Sequence, residues 1–465
     1  MIFVSSKTNH NSLIMEQIPS LLKGISNLLP TANISQLVSI IIGIYTISSG
    51  GVTQRNISRY SDISYRGVTR FMATPIEWHK VLIRILGQYL LGGSVYLLAI
   101  DETVEDKAGK STDKIGYFFC SKAQKVIRSV SFGVLSLISV KDRKSYVTDF
   151  TQLEQDKEKA AKNKAKKVAK KASKSTDNVV KKPGRPKGSK NKVQEKTVSI
   201  SYAALEKMLN RVLSLLRAIG IIPPYLVGDG AYGNITGCLI ATEYDLYLIS
   251  KLHWNTALYY APEKGSKKRK YGERVNLGNL DAHKIGEEVE EDCILTYFQI
   301  KGVKTRHIGQ FINVVILRCH NLKTDKYGFV LLFSTDLNLE GLTLVDYYAL
   351  RFQIEFNFRD AKQYFGLSDF KSIKPVQVTN SVGLSFLMVN LSHILIDQTQ
   401  EAVGADFLSI QDLKTYFRSV FYANRLKNTP DFTVPNILDP LVSPFLANLG
   451  GVNWGKASNK PKIAA

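Results

Sequence analysis

Cysteine is nearly missing from this chain: Cys120, Cys238, Cys293 and Cys319 are the only four in 465 residues. They show no paired spacing. That excludes a cysteine-built zinc site and a secreted disulfide framework, and it fits a reducing compartment. The seven histidines are scattered, so no His cluster offers metal-ligand spacing either. Long apolar runs are also lacking. Leu37–Tyr45 and Val382–Ile396 are short of the ~20 residues that a membrane span needs, and the second contains Asn390, Ser392 and His393. Both read as buried helices. The start, MIFVSSKTNH, has no basic region followed by an apolar core, so no secretory signal is expected. No internal repeat is apparent. An intracellular location without membrane association follows as the expectation.

Acid is the other shortage. Asp+Glu number 40 against 62 Lys+Arg, a net charge of +22. An excess of this size calls for a polyanionic partner, nucleic acid before membrane. A hydrophobic content of 44% is ample for buried cores, and the length suggests roughly three domains.

Residues 1–95 read as a helical N-terminal domain. Within it, Thr53–Met72 reads as two short helices about a tight turn, with Ser64 capping the second. That arrangement exposes Arg66, Thr69 and Arg70 and packs Val68 and Phe71 inward, as in a helix-turn-helix that enters a major groove. From residue 96 the period changes. SVYLLAIDET, IGYFFC, VIRSVSFGVLSLISV and YVTDF read as strands. Tyr202–Ile221 is an amphipathic helix, followed by the strand and Gly-rich turn of PPYLVGDGAYGN, another helix and the strand LYLISKL. This order indicates an α/β sheet built from 96–156, 198–254 and 327–400, with a β-rich insertion at 255–326 and a helical region at 401–465.

Residues 157–197 interrupt that pattern. Lys157–Lys196 holds sixteen Lys+Arg against three acids, +13 of the net charge, and few apolar residues, so disorder in isolation is expected. Its end, KKPGRPKGSKNK, resembles an AT-hook. Pro183 and Pro186 favour extended backbone and Gly184 permits close approach. Lys182, Arg185 and Lys187 are then candidate DNA contacts, with Arg185 entering an A·T-rich minor groove.

Three acids stand where catalytic carboxylates tend to stand. Asp101 ends the apolar run YLLAID, Asp229 ends YLVGD, and Glu355 lies among aromatics in YYALRFQIEFNFRDAK. Read as one helix capped by Thr343, that last stretch carries Tyr348, Arg351, Glu355 and Lys362 at offsets 0, 3, 7 and 14. At about 100° per residue the four fall within roughly 60° of arc. Three converging carboxylates need cations to stay ionised. Two Mg²⁺ ions suit oxygen ligands and phosphoryl transfer, with Mn²⁺ able to substitute.

Together, Asp101, Asp229 and the spacing Tyr348-x₂-Arg351-x₃-Glu355-x₆-Lys362 resemble the DDE-superfamily insertion-sequence transposases of the Tyr-Arg-Glu-Lys signature group. The resemblance covers about residues 96–400. It implies an RNase H-like mixed α/β sheet with flanking helices, interrupted by the β-rich insertion. It implies that Asp101, Asp229 and Glu355 ligate two Mg²⁺, and that Tyr348, Arg351 and Lys362 hold phosphates of the transposon end. The implied activity is cut-and-paste transposition: cleavage at transposon ends and strand transfer into target DNA. A homodimer on double-stranded DNA and a cytoplasmic or nucleoid-associated location come with it. Related members stack a flipped base on a Trp of the insertion; here Trp254 is the nearest Trp, with Tyr259, Tyr260 and Tyr327 as alternatives. A nuclease without strand transfer and a catalytically silent DNA-binding regulator are the rival readings.

Overall fold

The computed structural model describes residues 18–29, 31–90, 92–121, 123–155, 199–262, 270–403 and 408–427. The basic segment with Lys182, Arg185 and Lys187, and the C-terminal tail, lie outside the described residues.

The apolar runs of the sequence become the middle of one ten-stranded mixed sheet. β1 (Tyr96–Asp106) pairs antiparallel with β3 (Lys125–Ser139) over its whole length, from Tyr96 opposite Ser139 to Asp106 opposite Ser129. β2 (Gly116–Cys120) and β4 (Lys144–Leu153) both pair with β3, each along its own part of that strand. From Ser129 to Ser139 every residue of β3 is buried or nearly so, which explains its unbroken apolar reading. The chain then crosses over through α5 (Ile200–Ala218) and returns as β5 (Tyr225–Gly228), parallel to β1. α6 (Ile235–Glu243) carries it to β6 (Tyr247–Leu252), parallel to β5. This is the mixed α/β sheet expected for an RNase H-like core.

The insertion does not stand apart. β7 (Lys284–Val289), β8 (Cys293–Thr305), β9 (Ile308–Asn321) and β10 (Lys326–Ser334) follow as antiparallel neighbours, and β10 pairs with β6. The sheet therefore runs without a break from β2 to β7. β7, sequence KIGEEV, is mostly exposed, as suits a charged edge strand.

The N-terminal helices are α1 (Thr31–Thr46), α2 (Gln54–Arg59), α3 (Tyr65–Ala73) and α4 (Trp78–Leu86). Thr53 caps α2 by accepting from Asn56 N, and Ser64 caps α3 by accepting from Gly67 N, both at 3.2 Å. Val68 and Phe71 are buried and Arg66 and Arg70 exposed, the burial expected from the sequence. Thr69 differs: it is half-buried and donates to Gln54 Oε1 at 3.1 Å, tying the two helices together.

These helices share a core with the C-terminal half: α7 (Gly341–Leu350), α8 (Gln353–Tyr364), α9 (Pro375–Val403) and α10 (Ile410–Lys427). Tyr45 stacks on Phe417 at 4.5 Å, and its hydroxyl meets Ser392 Oγ at 2.9 Å. Trp78 lies against Gly383, where a Cβ would come within 2.2 Å of the indole, and donates from Nε1 to Asn380 Oδ1 at 2.9 Å. Gly366, just past α8, has φ +78, and a Cβ there would meet Val52 Cβ at 2.6 Å. Only glycine serves both the left-handed turn and that close approach. Pro375–Gln398 in α9 is the one described helix long and apolar enough to cross a membrane, and 83% of its most apolar stretch is buried inside the fold. It is the central core helix.

His393 on α9 is fully buried with its edge toward Tyr146 at 5.7 Å, and burial pushes its imidazole down to about 4. The folded chain keeps it neutral, whereas the unfolded chain takes up a proton below about 6.5. Its contribution is therefore lost as pH falls from 6.5 toward 4. Denaturant titrations at pH 7 and pH 4.5 should show wild type losing about 2–3 kcal/mol more than His393→Gln. Equal losses would mean that His393 is already protonated in the fold.

Candidate active site

Parallel pairing of β1 with β5 ends at Ile100 opposite Gly228. The next residue on each side is an acid, Asp101 within β1 and Asp229 just past β5, so two carboxylates stand where the parallel pairing stops. Asp101 Oδ1 accepts from Glu102 N at 2.8 Å, and Asp229 Oδ1 accepts from Ala231 N at 3.0 Å. The turn after Asp229 is pressed onto β6: Ser250 donates to Asp229 O at 2.6 Å, and a Cβ on Gly233 would lie 2.5 Å from Lys251 O. The DGAYG sequence is thus a steric requirement for holding Asp229 in place.

Glu355 arrives from the other side of the chain. The stretch expected to form one helix forms two. α7 ends at Leu350 and α8 starts at Gln353, and α7 begins after Glu340 with no side-chain cap, so Thr343 is not its cap. Across the join the bonds are Arg351 N to Tyr348 O, Phe352 N to Ala349 O, Ile354 N to Arg351 O and Glu355 N to Phe352 O, at 3.0–3.1 Å. These span three residues, a tighter 3₁₀ turn, which advances the side chains by about 120° per residue and breaks the simple angular count. The rings differ from the expected anchors as well. Phe358 is buried, but Phe352 is 50% exposed and meets Phe356 edge-on at 5.3 Å.

The tight turn brings Arg351 between two of the acids. Its Nη1 donates to Asp101 Oδ2 at 2.7 Å and its Nη2 to Glu355 Oε1 at 3.2 Å, with the side chain only 16% exposed. Tyr348 stands beside it, the ring centroid 5.9 Å from the guanidinium carbon. Burial pushes the Asp101 carboxyl up to about 6, the nearby Asp229 and Glu355 add to the rise, and the Glu102 amide and Arg351 oppose it. Tyr348, Arg351, Glu355, Asp101 and Asp229 thus share one electrostatic neighbourhood.

Lys362 is elsewhere. It lies against β1, its Nζ 2.6 Å from Glu105 Oε1 and donating to Val104 O at 3.2 Å. Glu105 is 4% exposed, and its other oxygen accepts from Ser368 at 2.7 Å. Sequence reading missed Glu105. The available signal was strand alternation: Asp101, Thr103 and Glu105 lie on one face of β1. Trp254, just past β6, is 63% exposed at the sheet edge where the parallel strands end, 6.0 Å from the His253 ring. Arg66 and Arg70 are on α3, and neither contacts the three acids in any hydrogen bond or ion pair among the described residues.

Asp101, Asp229 and Glu355 offer only carboxylate oxygens, the donor set that Mg²⁺ takes. Their chemistry fits a hard divalent cation, and the rise in Asp101 reflects a buried carboxylate short of positive charge. Among the described residues, no three His, Cys, Asp or Glu side chains lie at metal-ligand spacing, and Arg351 supplies the positive charge between Asp101 and Glu355.

Residues 203–391 match the family described as the transposase DDE domain. The match runs from α5 to α9 and contains Asp229 and Glu355, with Asp101 upstream of it. The matched part is similar to a DDE transposase domain and spans less than half of the chain. No curated protein matches the sequence. Among solved structures, the piggyBac transposase in a synaptic complex with hairpin DNA is similar at 10% identity and a TM-score of 0.41, over 98% of this chain and 87% of that one.

The Lys362–Glu105 pair has a measurable consequence. Lys362→Met leaves Glu105 buried without its cation and should lower stability by about 2–3 kcal/mol. Lys362→Met combined with Glu105→Gln should recover most of that. A single variant as stable as wild type in denaturant titration would show that the pair does not hold α8 on β1.

Proposed function

We propose that the protein is a cut-and-paste DNA transposase of the Tyr-Arg-Glu-Lys signature group, with Asp101, Asp229 and Glu355 as its catalytic acids. One observation carries the reading: the β1–β5 pairing stops just before an acid on each side, and Arg351 ties Glu355 to the first of them. Two acids on a single guanidinium, with a third close enough to be felt by it, have little structural purpose. Each burdens the next, and hydrophobic packing would hold the elements at less cost.

In this reading Asp101, Asp229 and Glu355 hold divalent cations, Mg²⁺ first. Bound there, the ions would supply Lewis acidity and a more acidic water. The chain's own groups do the rest. Arg351 neutralises the acids and, with Tyr348 beside it, orients a phosphate of the DNA end. Lys362 fixes α8 to β1 through Glu105 and reaches DNA only by leaving that pair. Trp254 offers an exposed ring at the same sheet edge, suited to stacking an unpaired base. Arg66 and Arg70 on α3, and the basic segment with Lys182, Arg185 and Lys187, supply the wider DNA contact. The reaction is hydrolysis at a transposon end to give a 3′-OH, which then attacks a phosphodiester of the target. Two copies of the chain work on paired ends.

Glu355→Gln tests the acids. With DNA from both flanks of the reading frame and Mg²⁺, the variant should lose cleavage by at least about 10²-fold while still shifting the DNA in gels. Wild-type cleavage rates in the variant would refute the assignment. Cleavage without joining in the wild type would leave a nuclease, and binding without either a DNA-binding regulator.

Removing Lys157–Lys196 tests the basic segment. If it touches phosphates, the slope of log K against log salt should become shallower by about 0.9 for each phosphate no longer neutralised. An unchanged slope would exclude the segment from the DNA interface.

A further inference from the structure

The helix-turn-helix and the catalytic half enclose a cleft of about 350 Å³, with none of the three acids in its lining. One wall is α2 and α3, and the other is the end of α8, the connection after it and α9. We propose that this cleft is a nucleotide site: it takes one base of a DNA strand edgewise, with the attached phosphate held at its mouth. The proposal rests on the chain handling DNA, and it does not depend on which residues are catalytic.

The chemistry of the lining selects the ligand. The interior is apolar and built from buried side chains, Met72, Phe370 and Leu384 among them, each at most 6% exposed. Its volume lies near the lower end of the ~300–1,000 Å³ typical of ligand pockets, enough for a planar base and part of its sugar. Polarity is limited to hydroxyls and amides. Ser381 donates to Gln377 O at 2.8 Å, and Ser385 lies within 2.7 Å of Phe365 O and 2.9 Å of Ser381 O. Ser372 Oγ lies 3.1 Å from Ser381 Oγ, so Ser385, with its proton directed to a backbone carbonyl, is the hydroxyl left to accept from a ligand, suited to an exocyclic amino group.

Charge marks the mouth. Arg55 on α2 and Lys371 on the opposite wall are both exposed, and among the described residues neither side chain has a hydrogen-bond or ion-pair partner. An acid close by, Asp369, is already engaged by Val52 N at 2.7 Å. Two such cations on opposite walls of an apolar slot suit an anion carried on a flat apolar body, which describes a nucleotide.

The helix-turn-helix supplies the direction. Tyr65 and Thr69, four residues apart on α3, line the cleft, while Arg66 and Arg70 point to solvent one position round the helix. A strand held by Arg66 and Arg70 runs past the mouth, where the Tyr65 ring is 52% exposed and its hydroxyl has no partner among the described residues. Stacking on Tyr65 and filling the slot repay the unstacking of one base.

Photocrosslinking with 5-iodouracil tests this on the full-length protein. Three probes are compared: 5-iodo-2′-deoxyuridine monophosphate, a single-stranded oligonucleotide carrying 5-iodouracil, and its duplex. Cross-linked peptides are mapped by mass spectrometry. Labelling of Tyr65 or Phe370 is the expected result. Oligonucleotide labelling above that by the monophosphate assigns the site to a DNA strand, and equal labelling assigns it to free nucleotide. Arg55→Ala with Lys371→Ala, both exposed and harmless to folding, should cut labelling there by at least fivefold, and Tyr65→Ala should cut labelling of Phe370 by as much. Cross-links confined to Trp254 or the basic segment, or labelling indifferent to Arg55 and Lys371, would overturn the proposal. The map is independent of catalysis: a Glu355→Gln protein that still cleaves would sink the catalytic assignment and leave the cleft labelled as before.

Discussion

Parallel pairing of β1 with β5 is the constraint on which the site depends. Parallel strands cannot be joined by a tight turn, so α5 must cross over one face of the sheet to bring β5 back beside β1. The crossover fixes where the pairing of the two strands stops, and the next residue on each side is an acid. The apolar residues before those acids are completely buried, Leu97 to Ile100 on one strand and Leu226 and Val227 on the other. Neither strand can slip by one residue without turning its core face outward. Position of the carboxylates is thus set by hydrophobic burial several residues away, and α7 and α8 need only deliver Glu355 to an edge already made.

Three acids on the sheet are each matched to a cation from a distant part of the chain. Asp101 has Arg351, Glu105 has Lys362, and Asp149 on β4 has Arg211 on α5 at 2.6 Å. In every case a strand supplies the acid, and a helix or the join between two helices supplies the base. Removing one partner would leave a buried charge uncompensated, so the pairs specify how helices sit on the sheet even where their net contribution to stability is small. Arg351 is the exception in kind, because it serves two acids at once and sits at the tight turn between α7 and α8.

How much of this was legible in the sequence varies with what carried the signal. The strands with long apolar runs, β1, β3, β9 and β10, could be read because burial on both faces leaves an unbroken hydrophobic record. The pair of short helices after Thr53 could be read because Ser64 is a strong cap and Val68 and Phe71 keep a helical spacing. β7 could not: an exposed edge strand of sequence KIGEEV has no apolar record, and only its partner β8 defines it. The join at Arg351–Phe352 was also hidden, since both residues keep right-handed helical angles, −49°/−36° and −59°/−21°, and no Gly or Pro marks the change. Of the site, the three acids were visible from strand ends and spacing. The partners of Arg351 and Lys362 were not, because 250 residues separate Arg351 from Asp101 and local periodicity is silent about such distant pairings. Continuity of the insertion with the central sheet was hidden for the same reason.

The shared core of the first helices and the last has a consequence for the order in which the molecule can form. Tyr45 waits for Ser392, 347 residues later, and Trp78 for Asn380, 302 residues later. At roughly 5–20 residues per second of synthesis, the N-terminal helices spend on the order of half a minute with Ile40, Ile44, Val81 and Leu82 uncovered. A chain whose core joins such remote segments closes late and as a whole. The first ninety residues are therefore the part most in need of a chaperone while the rest is being made, and a truncated chain ending before α9 leaves them without the surface they were built to meet.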